Sequence, residues 1–343
     1  MKKQIVQVAL TYIGTIVGAG FASGQGILQF FTAFGAIGIV GVGISTVLFM
    51  WLGMKMMLIS HRIKAYSYQD FNNYLFGSVF GKAANVLTFI ILFGVTVVML
   101  AGTGSIVEEQ LGYPYQWGIL VTILLSYLVM RKEMNGILAV NSLVVPLMLL
   151  FTVLIAVNTV REGDFILWQE MEQEREGSIR WLISAFAYGA LNMAMVQAVL
   201  VPLGSEVKDE AVLKWGAAWG GIGLGVMLTV SHVALLARMP EIIDYAIPMA
   251  EVIKSLGPYV HILFILVVYG EIFTTLVGNV FGITRQIEGL IKIPNNMLVL
   301  LILLCCFLFS QIGFSSLLSY LYPLFGYVGL SLLILLIFKR IPQ

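Results

Sequence analysis

Charge is scarce in this sequence. Lys and Arg total 19 and Asp and Glu 18 in 343 residues, so charged residues make up 11% of the chain and hydrophobic residues 59%. A soluble protein of this length has to cover its surface with far more charge. The formal net charge of +1 offers no basic footprint for nucleic acid. Cysteine is scarcer still. Cys305 and Cys306 are the only two, adjacent within an apolar run, which excludes a disulfide framework and a cysteine metal site. With three histidines in the whole chain, a histidine-rich metal centre is excluded as well.

What remains is apolar sequence in runs of about 20 residues or more, long enough to cross a hydrocarbon core of about 30 Å. The reading is an all-α, polytopic membrane protein with ten spans. They cover about Ile5–Phe31, Phe34–Ile59, Ala83–Val107, Trp117–Met130, Asn135–Val157, Ile179–Leu203, Ala211–Leu236, Tyr259–Ile283, Met297–Ser310 and Phe314–Phe338. The opening MKKQIVQVAL has the charged start of a signal peptide, but its apolar run continues past Phe30 and reads as an uncleaved first span. With the N-terminus inside, 14 Lys and Arg fall in inner loops and 5 in outer ones, which satisfies the positive-inside rule with both termini cytoplasmic.

The acidic stretch REGDFILWQEMEQEREGSIR lies near the midpoint and divides the chain into five spans and five. Residues 1–160 and 179–343 then form two halves, with 161–178 as an external linker. An odd number of spans per half inverts the second relative to the first, the recurring build of secondary transporters.

The first span carries GTIVGAGFASGQG, with Gly14, Gly18, Gly20, Gly24 and Gly26 in thirteen residues. Each costs a helix about 1 kcal/mol relative to Ala. Gly14/Gly18 and Gly20/Gly24 are spaced for close helix packing, and they also suit a helix broken at mid-depth. A break leaves carbonyls unpaired from about Gly14 to Val17 and N–H groups around Gly20 to Gly24, and these must line a polar cavity. The first end suits a small cation and the second a carboxylate. Span six offers a weaker counterpart, SAFAYGALN, Ser184 to Asn192, and a second break is expected there.

Glu271 is the acidic residue placed deep inside a span, at a cost of roughly 2.5–3.5 kcal/mol if ionised at the bilayer centre. Glu271, Thr274 and Thr275 stand at i, i+3 and i+4 on one face of span eight. Their oxygens suit a hard cation. A structural Glu facing the bundle is the bland alternative. No mid-depth constellation of His, Asp, Ser or Cys accompanies it, so an enzyme is not expected.

IVGAGFASG resembles the unwound first helix of LeuT-fold transporters of the amino acid–polyamine–organocation superfamily, and the five-plus-five layout extends that resemblance over the whole chain. More narrowly, GTIVGAGFASGQ followed by LQFF is similar to the YkvI family of bacterial membrane proteins. Members tend to carry an acid directly after the SGQ-like stretch, where this chain has Gly26, so a substrate role for that acid is in doubt here. The resemblance implies a bacterial inner-membrane location and a sodium site made from the carbonyls of Gly14 and Val17 with Glu271, Thr274 and Thr275. Proton uptake and release by Glu271 itself is the rival. The solute, a small zwitterion such as an amino acid, would lie between Gly18, Ala19, Gly20, Phe21, Ala22 and Ser23 on one side and Phe186, Ala187, Tyr188, Gly189 and Asn192 on the other. Beyond the coupling ion no cofactor is implied. The expected partners are the solute and the bilayer, and a monomer is consistent with the sequence.

Three features stay open at this level. Tyr320 and Tyr322 in span ten face either the pocket or the interface. Arg238 to Lys254 is either an outer lid or a plain surface helix. A ligand-sensing receptor on the same fold, without net transport, would leave the same sequence marks, and a channel is a further possibility.

Overall fold

In a computed structural model the chain is described over residues 2–162, 179–243, 245, 247–254, 256–288 and 293–342, and no strand occurs among them. The helices are α1 (Lys2–Ile16), α2 (Ala19–Ala22), α3 (Gln25–Phe30), α4 (Gly38–Ile63), α5 (Tyr68–Leu111), α6 (Tyr115–Met130), α7 (Glu133–Glu162), α8 (Arg180–Glu206), α9 (Glu210–Leu236), α10 (Pro248–Lys254), α11 (Pro258–Glu288), α12 (Asn295–Ser310) and α13 (Phe314–Phe338). A 3-10 turn, Thr32–Ile37, joins α3 to α4.

Seven of the described helices are long and apolar enough to cross a membrane: α4 with its preceding turn, α5, α7, α8, α9, α11 and α13. α6 and α12 are shorter apolar helices of 16 residues, about 24 Å at 1.5 Å per residue. Long exposed side chains such as Val47, Leu124, Leu143 and Leu308 cover the outer faces, as a lipid-facing surface requires. Of the acidic linker 161–178, residues 161 and 162 end α7 and 163–178 fall outside the described residues.

Two groups of helices interlock. α1, α4, α8 and α9 pack on one another, and α5 packs with α6, α11 and α12, while α7 and α13 bridge the groups. Small residues permit this closeness. On α9, Gly216 and Gly220 seat Val8 and Tyr12 of α1, and Gly221 and Gly225 on its other side seat Met50 and Thr46 of α4.

The first span is broken. α1 ends at Ile16, Val17 and Gly18 are non-helical, and a single turn at α2 precedes Gly24, whose φ of 86° belongs to the left-handed region that glycine tolerates. The expected break in span six is absent: α8 runs as one helix from Arg180 to Glu206 through Gly189. The small residues of SAFAYGALN serve close packing instead. Gly189 faces Leu48 of α4, and a Cβ there would stand 3.1 Å from its nearest atom. Asn192 Nδ2 donates to Tyr188 O four residues back at 2.8 Å, so that carbonyl is satisfied rather than presented to a solute. One glycine costs less than the backbone bonds a break would forfeit in lipid.

Candidate cation and solute site

The end of α1 meets the middle of α11 at the break. Thr274 Oγ1 donates towards Gly14 O at 2.9 Å and also lies 2.9 Å from Glu271 O, one turn back on its own helix. Thr275 Oγ1 lies 3.1 Å from Val17 O and 3.4 Å from Gly14 O. Three backbone carbonyls and two hydroxyls therefore converge in a buried place, with Thr274 2% and Thr275 0% exposed. All five donors are oxygen, the set a hard monovalent cation takes.

Two glycines make the approach possible. A Cβ on Gly14 would overlap Asn141 Oδ1 of α7, and one on Gly18 would stand 3.0 Å from Thr275 Oγ1. The packing and broken-helix readings of these glycines thus hold together, because the break and the close contact occupy the same residues. Among the described residues Asn141 Oδ1 has no hydrogen-bond partner, and neither do the two carboxyl oxygens of Glu271, which is fully buried. An unpaired carboxylate in such surroundings is strongly disfavoured, so Glu271 is either neutral or has a cation beside it. Asn141 adds an uncommitted oxygen next to Gly14.

A second void adjoins the break on the α8 side. It is lined by Ile16, Gly18, Gly20, Phe21, Gly26, Tyr188, Leu191, Asn192, Met195 and Tyr322, and its volume is about 10 Å³, room for about one water molecule. Of the expected solute residues, Gly18, Gly20, Phe21, Tyr188 and Asn192 line it. Ala19 belongs to the α2 turn by its backbone. The others lie elsewhere: Ala187 packs on Gly326 of α13, Gly189 faces α4, Phe186 is half-buried, and Ala22 is buried in the core. Ser23 holds the loop before α11, since its carbonyl accepts the Met249 N–H at 2.9 Å, while its Oγ accepts the local Gln25 N–H at 3.3 Å.

That loop is the Arg238–Lys254 stretch. Its helix α10 buries Met249, Ala250, Val252 and Ile253, and Gln25 Nε2 donates to Tyr245 O, so its described residues sit against the Ser23–Gln25 end of the break. Sequence reasoning missed Ile16, Gly26, Leu191 and Met195 as lining residues. Once α8 is continuous, Tyr188, Leu191, Asn192 and Met195 fall at i, i+3, i+4 and i+7, one helical face. Tyr322 points into the void, whereas Tyr320 is 78% exposed. A larger groove of about 520 Å³ between α5, α6 and α11 is almost wholly apolar, with Tyr113 and Trp117 exposed at its rim, and has no comparable polar set.

The broken first helix, the interlocked helix groups and the oxygen cluster between α1 and α11 define a multi-pass helical membrane protein of LeuT-type fold. The structure of MhsT in complex with L-phenylalanine superposes with a TM-score of 0.74 at 13% identity, over 96% of this chain and 88% of that one. A substrate-bound, outward-open Na+-coupled sialic acid symporter gives 0.70 at 14% identity, over 98% and 79%. In sequence, the membrane protein YkvI of Bacillus subtilis (strain 168) is 40% identical over 341 residues, 98% of this chain and 96% of the relative. The chain belongs to the YkvI family. The protein YyaD of the same strain is 28% identical over 330 residues, 96% of this chain and 94% of the relative. A comparison with protein-family models finds no match.

Proposed function

We propose that the protein is a secondary transporter that couples a cation, Na+ in preference to H+, to a small zwitterionic or amine solute, an amino acid or close derivative, by alternating access. The observation that carries this reading is the convergence of Gly14 O, Val17 O and Glu271 O with Thr274 Oγ1 and Thr275 Oγ1 across a helix break. Without a cation, the threonine hydroxyls donate to the carbonyls of the broken helix. With Na+ held there, the hydroxyl protons turn away, all five oxygens face the ion, and the ion itself ties α1 to α11. Occupancy then biases the position of the first span, whose break also borders the solute void, and this links the two ligands.

Two similar structures lend support through their own descriptions, one being Na+-coupled and the other holding L-phenylalanine. In this reading α1, α2 and α3 form one interrupted span. Ten spans then fall into inverted halves, 1–160 and 179–343, with both termini cytoplasmic. The solute lies against Gly18, Gly20, Phe21, Tyr188 and Asn192. Since α8 is unbroken, the amide oxygen of Asn192 and the hydroxyl of Tyr188, rather than free backbone carbonyls of α8, meet the ammonium group.

The unpartnered oxygens of Glu271 favour one second reading, in which that carboxyl group carries a proton as the coupling ion. Proteoliposomes separate the two. Amino acid uptake driven by a sodium gradient at equal pH supports sodium coupling, and uptake driven only by a pH gradient without sodium supports Glu271. Saturable binding with no counterflow would overturn transport altogether.

A further inference from the structure

The solute void is small because a side chain from a distant helix fills it. Tyr322 of α13 lays its ring on the first-span break, where a Cβ on Gly20 would overlap the ring carbons, and the residue is 6% exposed. Gly26 closes from another side, since a Cβ there would stand 2.9 Å from Gly20 O. Among the described residues no charged side chain lines the void.

Its polar equipment is equally restricted. Tyr188 is held by Phe30, Phe31 and Phe49, with ring centroids at 5.4, 4.9 and 6.0 Å, and its buried hydroxyl has no hydrogen-bond partner among the described residues. The Nδ2 of Asn192 is already committed to Tyr188 O. A solute with a charged side chain would find no counter-charge, at a heavy desolvation cost. A bulky side chain would collide with Tyr322. The residue that follows, Pro323, removes one backbone hydrogen bond from α13 beside the ring, leaving that turn less firmly tied than the helix around it.

We propose that Tyr322 sets the specificity of the site. As it stands the void holds about one water, so the ring has to draw back on the turn loosened by Pro323 before any solute enters. The space that this frees limits the solute to a small zwitterion with a neutral side chain, of glycine or alanine size, and the Tyr188 hydroxyl supplies a hydrogen bond to it. This rests on the transporter reading above.

The test is ligand-induced thermal stabilisation of purified protein in sodium buffer, titrated with glycine, L-alanine, L-leucine, L-phenylalanine and L-lysine. Wild type is expected to bind glycine or L-alanine at least about tenfold more tightly than L-leucine, a discrimination typical of a pocket that rejects extra methylenes. Tyr322→Ala, or Tyr322→Leu if the alanine variant does not fold, brings that ratio close to one, and Tyr322→Phe keeps it. Equal affinity of wild type for L-alanine and L-leucine, tight binding of L-lysine, or an unchanged ratio in the small variant overturns the proposal and leaves the transporter reading standing. Response of no variant to any of these solutes or to sodium overturns both.

Discussion

Replacing Thr275 by Val removes one hydroxyl from the α1–α11 junction while conserving side-chain shape. Thr275 is fully buried, and its Oγ1 serves Val17 O at 3.1 Å and Gly14 O at 3.4 Å. Gly14 O keeps Thr274 as a partner at 2.9 Å, whereas no other partner is seen for Val17 O among the described residues. Leaving one buried carbonyl unsatisfied costs about 1–3 kcal/mol. If Thr275 Oγ1 is a cation ligand, its loss weakens sodium binding by a comparable amount, about 5- to 140-fold in affinity at 1.4 kcal/mol per decade. The assay is the sodium concentration for half-maximal thermal stabilisation of purified protein, with choline as the balancing cation. The variant is expected to be less stable without sodium and to need about 5- to 140-fold more sodium to recover. A sodium dependence identical to wild type in a variant that has lost stability would refute the reasoning, because the hydroxyl would then be a structural hydrogen bond only.

The remaining expectations concern neighbouring parts of the fold. Glu271→Gln keeps the shape and the backbone carbonyl, so sodium-driven uptake should survive within about tenfold, whereas loss of uptake together with loss of its pH dependence would favour the proton reading. Gly14→Ala drives a Cβ into Asn141 and Val145 and should cost about 1–3 kcal/mol or abolish folding, whereas Gly43→Ala, with open space around it, should be neutral; thermal denaturation compares them. Where the end of α4 meets the start of α9, hydrogen bonding from Arg62 holds the Glu210 carboxyl below its ordinary value. That pair adds its small, exposed contribution at neutral pH and loses it as pH falls through the depressed value. Glu210→Gln should therefore flatten the acid limb of a stability–pH curve.

Parts of this site were readable from local sequence because they break local rules. Clustered glycines in an apolar run marked the Val17–Gly18 interruption, and a carboxyl group in the middle of a span marked the face of Glu271, Thr274 and Thr275. Span six misled for a related reason. Small residues and Gly189 look alike whether they break a helix or admit a neighbour, and Leu48 of α4, which decides between the two, lies far away in sequence. Reading α8 as continuous would have exposed the face of Tyr188, Leu191, Asn192 and Met195. Tyr322 lies some 300 residues from Gly20, and no local pattern predicts that its ring rests there. The Arg238–Lys254 stretch reads as a helix outside the spans, but its seat on Ser23 and Gln25 is a tertiary contact that no local pattern shows.

The most direct measurement is equilibrium binding of radioactive sodium to purified wild-type protein and to the double variant Thr274→Val/Thr275→Val. The account predicts saturable binding to wild type that excess potassium does not displace, reduced at least about tenfold in the double variant. Absence of saturable sodium binding to wild type, or equal binding by a folded double variant, would contradict it.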